Sequence, residues 1–71
     1  MSQLPMRTWR VMPKGDGERW LVFSPDGEVT EFVTGGLAIE FGRLQAQEAH
    51  ERLMVYGSDD RIFSTEDFRL H

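Results

Sequence analysis

The chain has 71 residues, no cysteine, and twelve carboxylates against eight basic side chains, for a formal charge of −4. A chain this short makes one small domain with a stability margin of about 3–5 kcal/mol, and without cysteine neither a disulfide framework nor a thiolate metal site can supplement its core. The negative balance argues against a nonspecific hold on nucleic acid or anionic lipid, which needs a positive field. No apolar run is long enough for a transmembrane span, and the opening Met-Ser-Gln-Leu-Pro-Met-Arg lacks the apolar centre of a secretion signal. The expectation is a cytoplasmic protein with no membrane partner.

Residues 1–6 pattern with nothing that follows and are expected to form a flexible N-terminus. Over 7–12, Trp9 and Val11 alternate with Thr8, Arg10 and Met12, the period-two signature of a half-buried strand. Pro13-Lys-Gly-Asp-Gly17 breaks it into a loop. Residues 19–24 form a second strand with apolar side chains on both faces, Trp20 and Val22 against Leu21 and Phe23, which predicts cover on both sides. Ser24-Pro-Asp-Gly27 is a tight turn, with proline setting the first central position, aspartate capping and glycine taking the left-handed site. The returning strand is Glu28–Val33, and three strands on short connections make an antiparallel meander.

Thr34–His50 is the one stretch periodic enough for a helix of several turns. At 100° per residue, Ala38, Gly42, Gln45 and Ala49 share a stripe flanked by Phe41 and Ala46, a seam of small residues suited to close approach to a sheet. Leu37 and Leu44 lie beyond Phe41 and Ile39 lies on the far side, so the apolar arc is wider than one sheet face requires. Thr34 can cap the start, whereas Gly35 and Gly36 each weaken the first turn by about 1 kcal/mol against alanine. Residues 52–56 alternate again, Gly57-Ser-Asp-Asp60 is a turn, and residues 61–64 make a short last strand ahead of a tail over 65–71 in which Phe68 and Leu70 either dock or await a partner. The predicted fold is α+β: an antiparallel β-sheet in the order β-β-β-α-β-β, with one helix packed on one face, as a single domain over 7–64.

Several features carry this pattern together: Trp9-x-Val11-x-Pro13, Trp20-x-Val22, the threonine-led helix with Ala38-Ile39 and Gly42-Arg43, and the closing Leu53-Met-Val-Tyr-Gly-Ser-Asp-Asp-Arg-Ile62. In them the chain resembles a family of small, mostly bacterial domains known as domain of unknown function 2188, over about residues 9 to 64. It departs from that family at Asp60, where the last hairpin usually has glycine, and at Gly42, where alanine is more typical. The resemblance implies a small α+β domain, found alone or appended to others, and no established activity.

Catalytic chemistry has little to build on. Nucleophilic catalysis needs an activated nucleophile beside a base, and His50 and His71 are the only histidines. His50, at a helix end, reads as a solvated or dipole-complementing side chain. Ser58, Asp59 and Asp60 lack the full spacing of a calcium loop and read as turn formers. Gly35-Gly36 opens a helix where an anion could sit, but a tight sheet-to-helix crossover is the simpler reading. The expectation is a noncatalytic domain with no cofactor and no metal.

The candidate surface is Arg7, Trp9, Arg19, Trp20, Leu37 and Leu44. If Trp9 and Trp20 face away from the helix, the open sheet face could stack bases or bury itself against another subunit; if they lie beneath it, they are core. A self-associating or protein-binding module is the leading expectation, because the second strand holds more apolar surface than one helix covers. The alternatives are a nucleic-acid-binding accessory domain on an arginine/tryptophan surface, disfavoured by the net charge, and a small acidic inhibitor that mimics nucleic acid.

Overall fold

The computed structural model describes residues 7–15, 17–57, 59 and 61–70. The expected flexible stretch over 1–6, together with Asp16, Ser58, Asp60 and His71, lies outside the described residues. Chain order is β1 (Thr8–Lys14), β2 (Arg19–Phe23), β3 (Val29–Phe32), α1 (Gly35–Ala49), β4 (Arg52–Tyr56) and β5 (Ile62–Asp67). The five strands form one sheet in the spatial order β3-β2-β1-β4-β5.

The expected α+β architecture is present, with one correction to the sheet. It is mixed, because β1 and β4 pair in parallel while the other three neighbours are antiparallel. The cause is directional. In the meander β3 runs the same way as β1, and α1 carries the chain back across the sheet, so β4 starts at the end where β1 starts. A strand delivered there beside β1 can only be parallel to it. The last strand also runs to Asp67, three residues beyond the expected end at Ser64, and the shift between Val55↔Ser64 and Tyr56↔Ile62 makes Phe63 the extra residue of a bulge.

Alternation along the strands places Trp9 and Val11 of β1, Trp20 and Val22 of β2, and Leu53 and Val55 of β4 on the face covered by α1. The core consists of Val11, Val22, Leu53 and Val55 against Ala38 and Ala46, with Trp9, Trp20, Phe32, Ile39, Phe41 and Phe68 packed around it. Phe32 and Phe41 close the β3 side with ring centroids 5.2 Å apart. The buried row of the helix is Ala38, Gly42 and Ala46, while Gln45 is half-buried and Ala49 exposed. Contact thus follows an i, i+4 ridge, which winds slowly round the helix as the strands beneath it twist.

Local chemistry sets the element ends. The Ser24 hydroxyl accepts from the amides of Asp26 and Glu28, and Gly27 closes the turn onto the Ser24 carbonyl at φ 94°. Serine therefore does the capping expected of aspartate, leaving Asp26 free for a longer-range contact. Thr34 caps α1 by accepting from the Leu37 amide. At the other end His50 adopts a left-handed conformation, φ 54° and ψ 48°, and the Glu51 amide reaches back to the Ala46 carbonyl. A β-carbon at this position is strained, so His50→Gly is expected to stabilise the fold by about 0.5–1 kcal/mol after the extra freedom of unfolded glycine is subtracted. Urea unfolding would reveal it as a higher midpoint at unchanged slope; a lower midpoint would assign His50 a stabilising contact.

Candidate interaction surface

The six residues expected to share a surface do not form one, although Arg7 and Trp9 meet at Glu51 and Leu37 and Leu44 share one side of the helix. Trp9 and Trp20 lie beneath the helix, where a β-carbon on Gly35 would fall 2.8 Å from the Trp20 ring. Gly35 therefore serves the close packing of the helix start on Trp20. Leu37 and Leu44 are about half exposed on the outer side of α1. Arg19 lies on the opposite sheet face beside Lys14, and both approach Glu31, at 3.9 and 3.7 Å. Arg7 lies just before β1, between Asp26 and Glu51.

Arg7 anchors a polar cluster at one end of the sheet. Glu51, only 9% exposed, receives Arg7 Nε on one carboxylate oxygen and Trp9 Nε1, at 2.8 Å, on the other. The second arm of the same guanidinium donates to Asp26 Oδ2 at 2.9 Å. That hydrogen bond, reinforced by the opposite charge, holds the Asp26 carboxyl below the usual aspartate range. A depressed carboxylate stabilises the fold above its unfolded pKa, and the contribution disappears as pH falls through the lowered folded value. Asp67 behaves likewise, clasped by both arms of the Arg69 guanidinium.

The face opposite the helix has no covering layer among the described residues. By strand parity it carries Arg10 and Met12 from β1, Leu21 and Phe23 from β2, Val29 from β3, Met54 and Tyr56 from β4, and Ile62 from β5. The ladder sets them side by side: Met12 opposite Leu21, Arg10 between Phe23 and Met54, Phe23 opposite Val29, and Tyr56 opposite Ile62. Met12, Leu21, Phe23, Met54 and Tyr56 are half-buried, whereas Val29 and Ile62 are more than half exposed. Toward the β2–β3 turn this face dips into an open depression of about 550 Å³, lined by Arg7, Thr8, Arg10, Met12, Phe23 and Ser24 among others.

Its basic groups are distinctive. Arg7, Lys14, Arg19, Arg43, Arg61 and Arg69 each have a carboxylate within 4 Å. Arg10 and Arg52 have none among the described residues, and both belong to the uncovered face. Arg52 stands opposite Asp67 in the ladder and its charge helps to hold that carboxyl down, but Asp67 is hydrogen-bonded by Arg69, and Arg52 Nε is buried with no acceptor. Sequence reasoning missed Arg10, Met12, Met54 and Tyr56 as surface residues. Their shared parity with Leu21 and Phe23 was the available signal.

The remaining expected features have plain structural roles. Asp59 pairs with Arg61 and accepts from its amide, as a turn former does. Phe68 packs against the core and donates its amide to the Glu51 carbonyl, whereas Leu70 is 77% exposed. Among the described residues, no helix is long and apolar enough to cross a membrane. No family model matches the chain, and no curated protein or solved structure matches it significantly.

Proposed function

We propose that this domain is a noncatalytic, self-associating interaction module whose contact surface is the uncovered face of the sheet. The observation that carries this reading is the cluster Met12, Leu21, Phe23, Met54 and Tyr56, contiguous across three strands and covered by no element among the described residues. Contiguous apolar surface of this kind marks a contact site on a small protein. Five strands at about 4.8 Å spacing and roughly five residues at about 3.3 Å rise give a face of some 24 by 17 Å. That is small beside the ~800 Å² per partner of a standard interface, so the association is weak and concentration-dependent. The nucleic-acid alternative loses its two tryptophans to the core. The acidic-mimic alternative needs clustered free carboxylates, whereas Asp26, Glu31, Glu51, Asp59, Glu66 and Asp67 are each paired locally.

Sedimentation across a concentration series tests the reading. The average mass of the native chain is expected to rise above that of a monomer in the high micromolar range. A Leu21→Thr/Met54→Thr chain, which keeps strand-compatible residues, is expected to stay monomeric with its far-UV circular dichroism unchanged. A native chain that remains monomeric throughout would overturn the proposal.

A further inference from the structure

Resting on the reading of the uncovered face as a self-association surface, we infer that its occupant is the outer stripe of α1 from a second copy, so that the contact is head-to-tail. In such an assembly each sheet lies between its own helix and the next copy's helix.

The charges without a close ion-pair partner and the leftover apolar side chains point to this pairing. Among the described residues the cations without a carboxylate within 4 Å are Arg10 and Arg52, both on the uncovered sheet face. Among the described residues the carboxylates without a basic group within 4 Å are Glu28, Glu40 and Glu48. Two of these three are on α1. Glu40 and Glu48 fall with Leu37 and Leu44 in one arc of about 80°, nearly opposite the buried row of Ala38, Gly42 and Ala46. Both leucines are about half exposed and both glutamates are exposed. The stripe is therefore apolar and acidic where the sheet face is apolar and basic. Size agrees as well: fifteen helical residues span about 22 Å, close to the ~24 Å across five strands. A symmetric sheet-to-sheet dimer would instead bring Arg10 and Arg52 against the same basic face of the partner.

Two charge-reversed chains separate these arrangements. Arg10→Glu/Arg52→Glu spoils the sheet face and leaves the helix stripe native; Glu40→Lys/Glu48→Lys does the reverse. Each alone is expected to associate at least about tenfold more weakly than the native chain. Mixed in equal amounts, they are expected to form a one-to-one complex that grows no further, because each supplies the surface the other lacks. The native chain, with both surfaces, is expected to pass beyond the dimer mass as concentration rises. If the Glu40→Lys/Glu48→Lys chain associates as the native chain does, the contact is sheet-to-sheet; the inference then fails while the uncovered face stands as the association surface. A native chain that stays monomeric overturns both. Should circular dichroism show the arginine double variant unfolded, Arg10→Glu alone takes its place in the mixture. Leu37→Ser/Leu44→Ser, confined to exposed positions, provides an independent block of the helix stripe: expected to be monomeric alone, it overturns the inference if it associates normally.

Discussion

A Gly42→Leu chain is expected to lose its cooperative unfolding transition, although leucine is among the best helix formers. A β-carbon on Gly42 would stand 2.9 Å from Val11 Cγ2 and 3.0 Å from Leu53 Cδ1, both fully buried side chains at the centre of the core. Neither can move aside, since Val11 and Leu53 lie on adjacent strands that are themselves paired. Replacing glycine gains about 1 kcal/mol of helix propensity. Lifting the helix off the sheet to seat a whole isobutyl group costs at least the ~1–3 kcal/mol typical of overpacking and also opens the contacts of Ala38 and Ala46. Those two figures alone net to a loss of up to about 2 kcal/mol, the lost Ala38 and Ala46 contacts add to it, and against a margin of about 3–5 kcal/mol the sum leaves too little for a cooperative transition. Two neighbouring glycines serve as controls. A β-carbon on Gly36 meets nothing within 4 Å, so Gly36→Ala is expected to stabilise by up to about 1 kcal/mol, whereas Gly35→Ala forces the Trp20 ring to shift. Urea unfolding followed by tryptophan fluorescence reads all three. A Gly42→Leu chain with a native midpoint would mean that the helix does not rest on the sheet at this point.

These glycines also mark how far the sequence could be read. The element order and the helix followed from periodicity, because the period changes cleanly at Thr34 and again at Arg52. The turn at residues 24–27 was equally legible in Pro25 and Gly27, whose backbone requirements are local. Which sheet face meets the helix was not legible. β2 carries large apolar side chains at both parities, so alternation alone treats Trp20 with Val22 and Leu21 with Phe23 as equivalent. The decision is tertiary: Gly35 and Gly42 open room for Trp20, Val11 and Leu53 at one parity only. The tryptophans thus became core, and the proposed contact surface passed to the opposite set. The parallel β1–β4 pair was hidden for a related reason, since strand direction depends on where the helix returns the chain rather than on the residues of either strand. Charge was the least legible layer. Arg10 resembles the other arginines in sequence, and only the ion pairs of the folded chain distinguish it and Arg52 from those already neutralised.

Glu51→Ala, at the buried charged side chain among the described residues, is expected to destabilise the domain by about 2–3 kcal/mol. In sequence Glu51 is one acid among twelve, 44 residues from Arg7 and 42 from Trp9. In the fold it is the buried acceptor that ties the start of β1 to the junction of α1 and β4. Three losses combine on truncation: the Trp9 indole N–H forfeits its partner in a half-buried setting, the Arg7 guanidinium loses a charge-assisted bond, and its contact with Asp26 no longer reaches the helix end. Because Arg7 is half exposed, solvent screening discounts the ionic part, and the unsatisfied indole supplies the larger share. Glu51→Gln separates the two contributions. It retains an oxygen for Trp9 but turns an amide donor toward Arg7, so about 1 kcal/mol is expected, roughly half or less of the alanine effect. The Arg7→Ala/Glu51→Ala double-mutant cycle then isolates the pair, with non-additive effects expected for two residues in direct contact. If Glu51→Gln proves as damaging as Glu51→Ala, the ion pair rather than the indole bond holds the end of β1, and the larger share of the stabilisation passes from Trp9 to Arg7.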